Sequence, residues 1–351
     1  MTPILKPSAP IPLDLALQGG GSHGAFTWGV LDRLLDEDSL GFSGVSGTSA
    51  GALNAAVLAS GLAEGGRAGA QAALRAFWLD VSAQSACFGQ WTAMPGAGLS
   101  GYNLDANPFY ALGNQFLRAF SPYQFNPLGD NPLRAVLKRH VKPASLRDGP
   151  LALFVTATAV RSGQPRVFDR ADLSIDALLA SACLPQLFRA VEIDGEPYWD
   201  GGFSGNPALW PLIYNTPALD LVLVKVNPLT RPDTPDTPEE IVDRVSEITF
   251  NSGLIGEFRA IEFVQRLIAK GKLDPGEYKN LRLHMVADEA GLAPLHPSSK
   301  LNTDRAFLEA LHDLGHIAAQ RWLHDHRADL GKRSTLDLHA TFLRPPPHAR
   351  A

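Results

Sequence analysis

A serine set between two glycines is the first residue in this chain with a chemical use. Ser49 lies in Gly47-Thr48-Ser49-Ala50-Gly51, a G-x-S-x-G pattern. Residues 41–45 before it are short and partly apolar and read as a buried strand. Residues 50–62 after it are rich in Ala and Leu and read as a helix. A serine in a glycine-flanked turn from strand to helix is the context of a nucleophile elbow. Such a turn strains the serine backbone, and neighbours without Cβ avoid clashes with the adjoining strand and helix. The hydroxyl then projects at a helix N-terminus, where unpaired N–H groups and the dipole favour developing negative charge. Taken alone, the pattern also fits a tight turn with an incidental serine.

Acyl transfer needs two further parts: a base beside the nucleophile and donors aimed at the oxyanion. Gln18-Gly19-Gly20-Gly21-Ser22-His23-Gly24 follows an apolar stretch, 13–17, and precedes Phe26, Val30, Leu31, Leu34 and Leu35 at helical spacing. A glycine run that opens a helix after a strand suits an anion. It fits a phosphate loop, an oxyanion hole or a flexible turn. The Gly-Lys-Ser/Thr ending of a P-loop is missing, as is G-x-G-x-x-G with its later acid. Ser49 close downstream favours the oxyanion hole. For the base, Asp200 with His284 or His296 formally completes a Ser…Asp…His order. Yet His284 falls in a predicted strand, and His312, His316, His324 and His326 fall on a helix with a solvated face, so structural roles are expected of them. Asp200 ends an extended segment and is followed by Gly201 and Gly202, a tight turn able to hold its carboxylate. An ordinary aspartate has a pKa of about 3.9 and serves as a base only if set directly against the serine hydroxyl.

The elements that must position these residues alternate between strands and helices. Residues 151–160 and 219–226 are near-continuous apolar strands. Residues 166–168 read as a hairpin partner, 174–183 as a small-residue helix, 241–269 and 304–326 as long helices, and 281–286 as a last strand. The expected fold is a doubly wound α/β, mostly parallel sheet flanked by helices, with its active edge at the carboxyl ends of the strands. Residues 1–12 read as an N-terminal extension and 13–330 as a single hydrolytic domain. Within it, 83–130 reads as an aromatic and proline-rich cap insertion and 230–330 as a helical C-terminal part; 331–351 reads as a polar, partly disordered tail. The middle of the insertion, 108–120, reads as an amphipathic helix, either a lid over the acyl site or part of a peripheral subdomain with its own small core. The 351 residues are 45% hydrophobic, enough for a sizeable core. A net charge of -5 without a basic stripe argues against nucleic acid as a partner. Two cysteines, no signal-like start and no membrane-length apolar run make a cytoplasmic location the expectation, with peripheral membrane contact open.

Three motifs in order, Gly19–Gly24, Gly47–Gly51 and Asp200-Gly201-Gly202, resemble the patatin-like phospholipase family. Ser181-Ala182-Cys183-Leu184-Pro185, upstream of Val191-Glu192-Ile193-Asp194-Gly195, is similar to that family's approach to its Asp-Gly-Gly. The resemblance covers about 13–207. It implies a Ser–Asp dyad without a catalytic histidine that hydrolyses esters of lipids, with Ser49 as nucleophile and Asp200 as base. The N–H groups of Gly20, Gly21 and Ser22 are then the oxyanion donors, and Gly19, His23, Gly24, Gly47, Gly51, Gly201 and Gly202 support the motifs. No cofactor or metal is expected. The implied partner is a lipid or another hydrophobic ester, with peripheral contact to a membrane or granule left open. The same dyad also suits short esters, thioesters or storage polyester, and an idle lipid- or granule-binding protein is the non-enzymatic alternative. One position departs from the family: His23 stands where Arg or Lys is usual. This either makes the charge beside the loop titratable or leaves His23 packing against the following helix.

Overall fold

In the computed structural model the described residues are 9–84, 92, 96–231 and 233–343. The start of the expected N-terminal extension, part of the insertion and the end of the expected tail lie outside them. The sheet is built around β1 (Ile11–Leu17), whose residues 13–17 are all buried. On one side β1 pairs in parallel with β2 (Leu40–Thr48), which pairs in parallel with β3 (Ala152–Ala159). On the other side lie β7 (Asp220–Val224) and β8 (Arg282–Val286), also parallel. Three short strands run antiparallel: β4 (Pro165–Phe168), β5 (Val191–Ile193) and β6 (Glu196–Asp200). The order is β5-β6-β3-β2-β1-β7-β8, with β4 also on β3.

Seven longer helices flank this sheet: α1 (Gly24–Leu35), α2 (Ala50–Gln84), α3 (Pro108–Ala119), α4 (Leu133–His140), α5 (Ile175–Ser181), α6 (Pro238–Ala269) and α7 (Arg305–His326). Strand side chains alternate between faces, and the core divides accordingly. Leu13, Leu15, Leu17, Val222 and Val224 join the larger cluster with α1, α2, α5 and α7. Ala16, Leu221 and Leu223 join the smaller one with Leu209, Leu212 and Phe258. Both faces are covered, and β3 and β7 are near-continuously apolar, as the sequence suggests.

The helix expected over 50–62 is the first part of α2, which is broken at the non-helical Gly65 and Gly66, where Gly66 has φ +62°. One sequence expectation changes. Residues 331–343, expected as tail, are built into the fold instead. The Thr335 and Leu336 N–H groups donate to the Leu283 carbonyl, and Leu338 and Phe342 are buried in the smaller core.

The register of β3 brings two strand ends together. Thr156 pairs with Thr48 of β2, and the next residue, Ala157, pairs with Asp200 of β6. Both residues also pair with β4, through Val167 and Arg166. β2 and β6 therefore share the edge of β3 opposite β4. The end of β2 and the end of β6 meet there, one register position apart.

Candidate active site

Ser49 follows directly on Thr48 and precedes α2. Its φ is +53°, one of two positive values outside glycine among the described residues. This left-handed backbone is strained for a residue with a Cβ and is held by its surroundings. A Cβ on Gly51 would strike the Leu17 carbonyl, and one on Gly47 would come within 2.6 Å of the Gly51 carbonyl. Both glycines of the pattern are thus sterically required, and the elbow sits as the spacing predicts. The Ser49 N–H donates to Ser181 Oγ at 2.9 Å, and that hydroxyl donates to the Thr156 carbonyl at 2.6 Å. Ser181, at the end of α5, thereby ties the elbow to β3. The sequence places Ser181 near the site but gives no sign of this bond.

Asp200 is fully buried. Its N–H donates to the Cys183 carbonyl at 2.8 Å, and its carbonyl accepts from Thr158 Oγ1 at 2.8 Å. Carboxylate Oδ1 accepts from the Gly202 N–H at 2.7 Å, which uses the turn foreseen in Asp-Gly-Gly. Oδ2 is buried and holds no well-formed hydrogen bond among the described residues. The Ser49 hydroxyl acts on this carboxyl. Burial pushes the Asp200 pKa up to about 6, against the opposing pull of Ser49, Gly202 and the Lys300 charge. A resting bond that is long or poorly aligned is ordinary for such a pair before substrate binds.

The glycine loop lies against this pair. A Cβ on Gly19 would come within 2.6 Å of the Ser49 Cβ. The Gly19 N–H donates to Asn206 Oδ1 at 2.6 Å, and its carbonyl accepts from Asn227 Nδ2 at 2.6 Å. Gln18 bonds to the N–H groups of Val226 and Asn227 and to Asn251. Beyond it Gly20 is extended and Gly21 has φ +58°. The N–H groups of Gly20, Gly21 and Ser22 carry no hydrogen bond among the described residues. Gly24 opens α1 against Ala50, and Gly201 packs on Thr48 and Thr156. Phe250 of α6 lies over Gly202. All twelve residues singled out in the sequence thus gather where β1, β2 and β6 end.

His23 settles against a titratable charge on the loop. It is buried, with Nε2 at 2.8 Å from Ser299 Oγ and its ring edge-on to Phe307. Burial, then the Lys300 and Arg231 charges, hold its pKa well below the usual histidine value. It is a neutral, packed residue. The other candidate histidines are engaged elsewhere: His284 with Asp220 and Thr335, and His296 with Asp105. Among the described residues no group of acids, histidines and cysteines has the arrangement of a metal site.

Residues 15–218, more than half of the chain, match the family described as Patatin-like phospholipase. The chain belongs to the patatin-like phospholipase family. Membership supports lipid hydrolysis in general terms and agrees with the mixed, mostly parallel sheet. Among solved structures, VipD from Legionella pneumophila is similar at 14% identity and a TM-score of 0.43, covering 95% of this chain and 73% of its own. The ExoU–SpcU complex of the type III secretion system of Pseudomonas aeruginosa is similar at 18% identity and a TM-score of 0.31, over 89% of this chain and 53% of that one. No curated protein matches.

Proposed function

We propose that this patatin-like protein is a serine acyl hydrolase that cleaves carboxylic esters of lipids through Ser49 and Asp200. The supporting observation is the register of β3, which brings the residues to adjacent strand ends, with one buried Asp200 carboxylate oxygen that holds no well-formed hydrogen bond among the described residues. Asp200 takes the Ser49 proton as Oγ attacks the ester carbonyl. The tetrahedral oxyanion is received by the N–H groups of Gly20, Gly21 and Ser22. Asp200 returns the proton to the departing alcohol, leaving an acyl-Ser49 ester. Water then attacks that ester, again giving its proton to Asp200, and the acid leaves as Ser49 is restored.

A lipid substrate also fits the surface around the site. α6 passes over Gly202 through Phe250, and nearer its start it exposes Ile241, Val245 and Ile248 on a single stripe. α3 exposes Phe109, Leu112 and Phe116, also at one-face spacing. The Tyr110 phenol on α3 lies within electrostatic reach of Asp243 on α6. We propose that these two apolar faces meet a lipid surface. No helix of the described residues is long and apolar enough to cross a membrane, so contact would be peripheral. The test is release of fatty acid from phospholipid vesicles and from a soluble p-nitrophenyl ester, by wild type beside Ser49→Ala. Equal release by both proteins overturns the reading.

A further inference from the structure

The polar contacts of the glycine loop reach beyond the part of the chain that matches the family. Gly19 is clamped from both sides, by Asn206 at its N–H and by Asn227 at its carbonyl. Asn206 Nδ2 adds a longer bond, 3.4 Å, to the same carbonyl. The Gly19 carbonyl and the Gly20 N–H belong to one planar trans peptide and point in opposite directions. Holding the carbonyl against Asn227 therefore turns the Gly20 N–H to the far side of the loop, where it has no partner among the described residues.

What holds Asn227 is Lys300. Its Nζ donates to Asn227 Oδ1 at 2.9 Å. An ammonium has donors only, whereas an amide has one donating and one accepting end. With Lys300 on one side, Asn227 must present Oδ1 to it and Nδ2 to the Gly19 carbonyl and Gln18 Oε1. Gln18 Oε1, itself held by the Val226 and Asn227 N–H groups, and the Gly19 carbonyl already call for Nδ2 on their side; the ammonium supplies the partner for Oδ1 and anchors the amide at its other end. The segment that carries Lys300, Pro297–Leu301, also backs the loop elsewhere: its carbonyl at Lys300 abuts Gly21, and Ser299 bonds His23. Of the Lys300 side chain only Cβ, which Met and Arg keep, lies near Gly21, so the rest of the side chain can be changed separately.

We infer that Lys300 is a positioning residue for ester hydrolysis, acting through Asn227 to set the peptide between Gly19 and Gly20 and so aim the first oxyanion donor. It touches neither Ser49 nor, on this account, the substrate. The inference rests on the hydrolase reading above and adds to it a residue from outside the matched 15–218 region.

The test uses the full chain and a soluble p-nitrophenyl ester. The proteins are wild type, Lys300→Met, Lys300→Arg, Asn227→Ala, the double variant Lys300→Met/Asn227→Ala, and Ser49→Ala. Loss of a whole oxyanion donor costs about 10²–10³ in kcat, so a misaimed one should cost about 10- to 100-fold. Lys300→Met is expected to lower kcat by that amount with KM within about threefold, and Lys300→Arg to recover most of it. A trifluoromethyl ketone, whose adduct with the serine carries an oxyanion, should lose affinity in step with kcat/KM. The Lys300 charge also lowers the Asp200 pKa, so kcat is compared on the plateau above about pH 8, well above the Asp200 pKa; there both side chains act through one link, and the double variant should be no worse than the poorer single one. A Lys300→Met kcat within threefold of wild type overturns the inference. So does a loss confined to KM, a loss without matching weakening of the ketone, or single losses that multiply. Should Lys300→Met fold poorly, Asn227→Ala and Lys300→Arg carry the same comparison. Ser49→Ala keeps the two claims apart: equal activity in it and wild type removes the dyad itself, whereas a dead Ser49→Ala beside an active Lys300→Met removes only the positioning role.

Discussion

Asp200 carries two consequences of its burial. In its proposed role as base it must be ionised, and its pKa is pushed up to about 6. The kcat/KM profile for a soluble ester is therefore expected to rise with pH through a midpoint near that value and then level off. His23 adds no second limb, because burial keeps it neutral. The profile of His23→Gln should superimpose on that of wild type; a fall in the wild-type profile between about pH 6 and 8 that His23→Gln removes would return a charge to this residue. The second consequence is stability. A carboxyl with a raised native pKa binds more protons folded than unfolded between about pH 4 and 6, so its contribution to stability falls as pH rises through that window. Asp200→Asn keeps an acceptor for the Gly202 N–H and removes the buried charge. It should abolish turnover yet be more stable than wild type at neutral pH, by up to about 3 kcal/mol, with the gain gone below about pH 4. Denaturant midpoints at pH 4 and 7 measure this. A variant equally or less stable at pH 7 contradicts the electrostatic account of Asp200.

At the scale of elements, the site is legible in the sequence because its parts are local. The elbow, the glycine loop and the Asp-Gly-Gly turn each consist of a few adjacent residues at a strand end. The constraints that make their spacing necessary, such as Gly51 against Leu17, act between neighbouring strands. Strands β3 and β7 are equally visible, being near-continuous apolar runs that are almost wholly buried. What the sequence does not reveal is long-range and polar. Asn206, Asn227 and Lys300 look like ordinary loop residues, and only the folded chain brings them to Gly19. Residues 331–343 look like a tail for a related reason. Leu336, Leu338 and Phe342 are sparse among polar neighbours and carry no clear period, yet they close the smaller core against Phe258 and Leu283. Truncating one large core side chain to Ala typically costs about 3–5 kcal/mol, and Phe342→Ala should lower the denaturant midpoint accordingly. A midpoint within error of wild type would mean that this segment does not hold the core in solution.

At the scale of the whole molecule, the two core clusters lie on opposite faces of the sheet, and the proposed catalytic edge lies at the strand ends. Of the exposed large apolar side chains among the described residues, seven lie on α3 and on the first half of α6. Phe109 is 82% exposed and Leu112 66%. Keeping such rings in water is unfavourable by roughly 25 cal/mol per Å² relative to an apolar contact, and exposed apolar patches of this kind mark surfaces that meet a partner. On the proposed reading a bilayer interface would cover both faces at once. Phe109→Asp with Leu112→Asp, and separately Ile241→Asp with Val245→Asp, should therefore reduce co-flotation with phosphatidylcholine vesicles. Each charge placed in an apolar contact costs several kcal/mol, enough to lower vesicle binding by tenfold or more. Turnover of vesicle lipid should fall further than turnover of a soluble ester in both pairs. If the two substrates fall in equal proportion, these faces serve folding or substrate access and not a lipid surface. If only the α3 pair separates them, the docking face is α3 alone and the α6 stripe has another use.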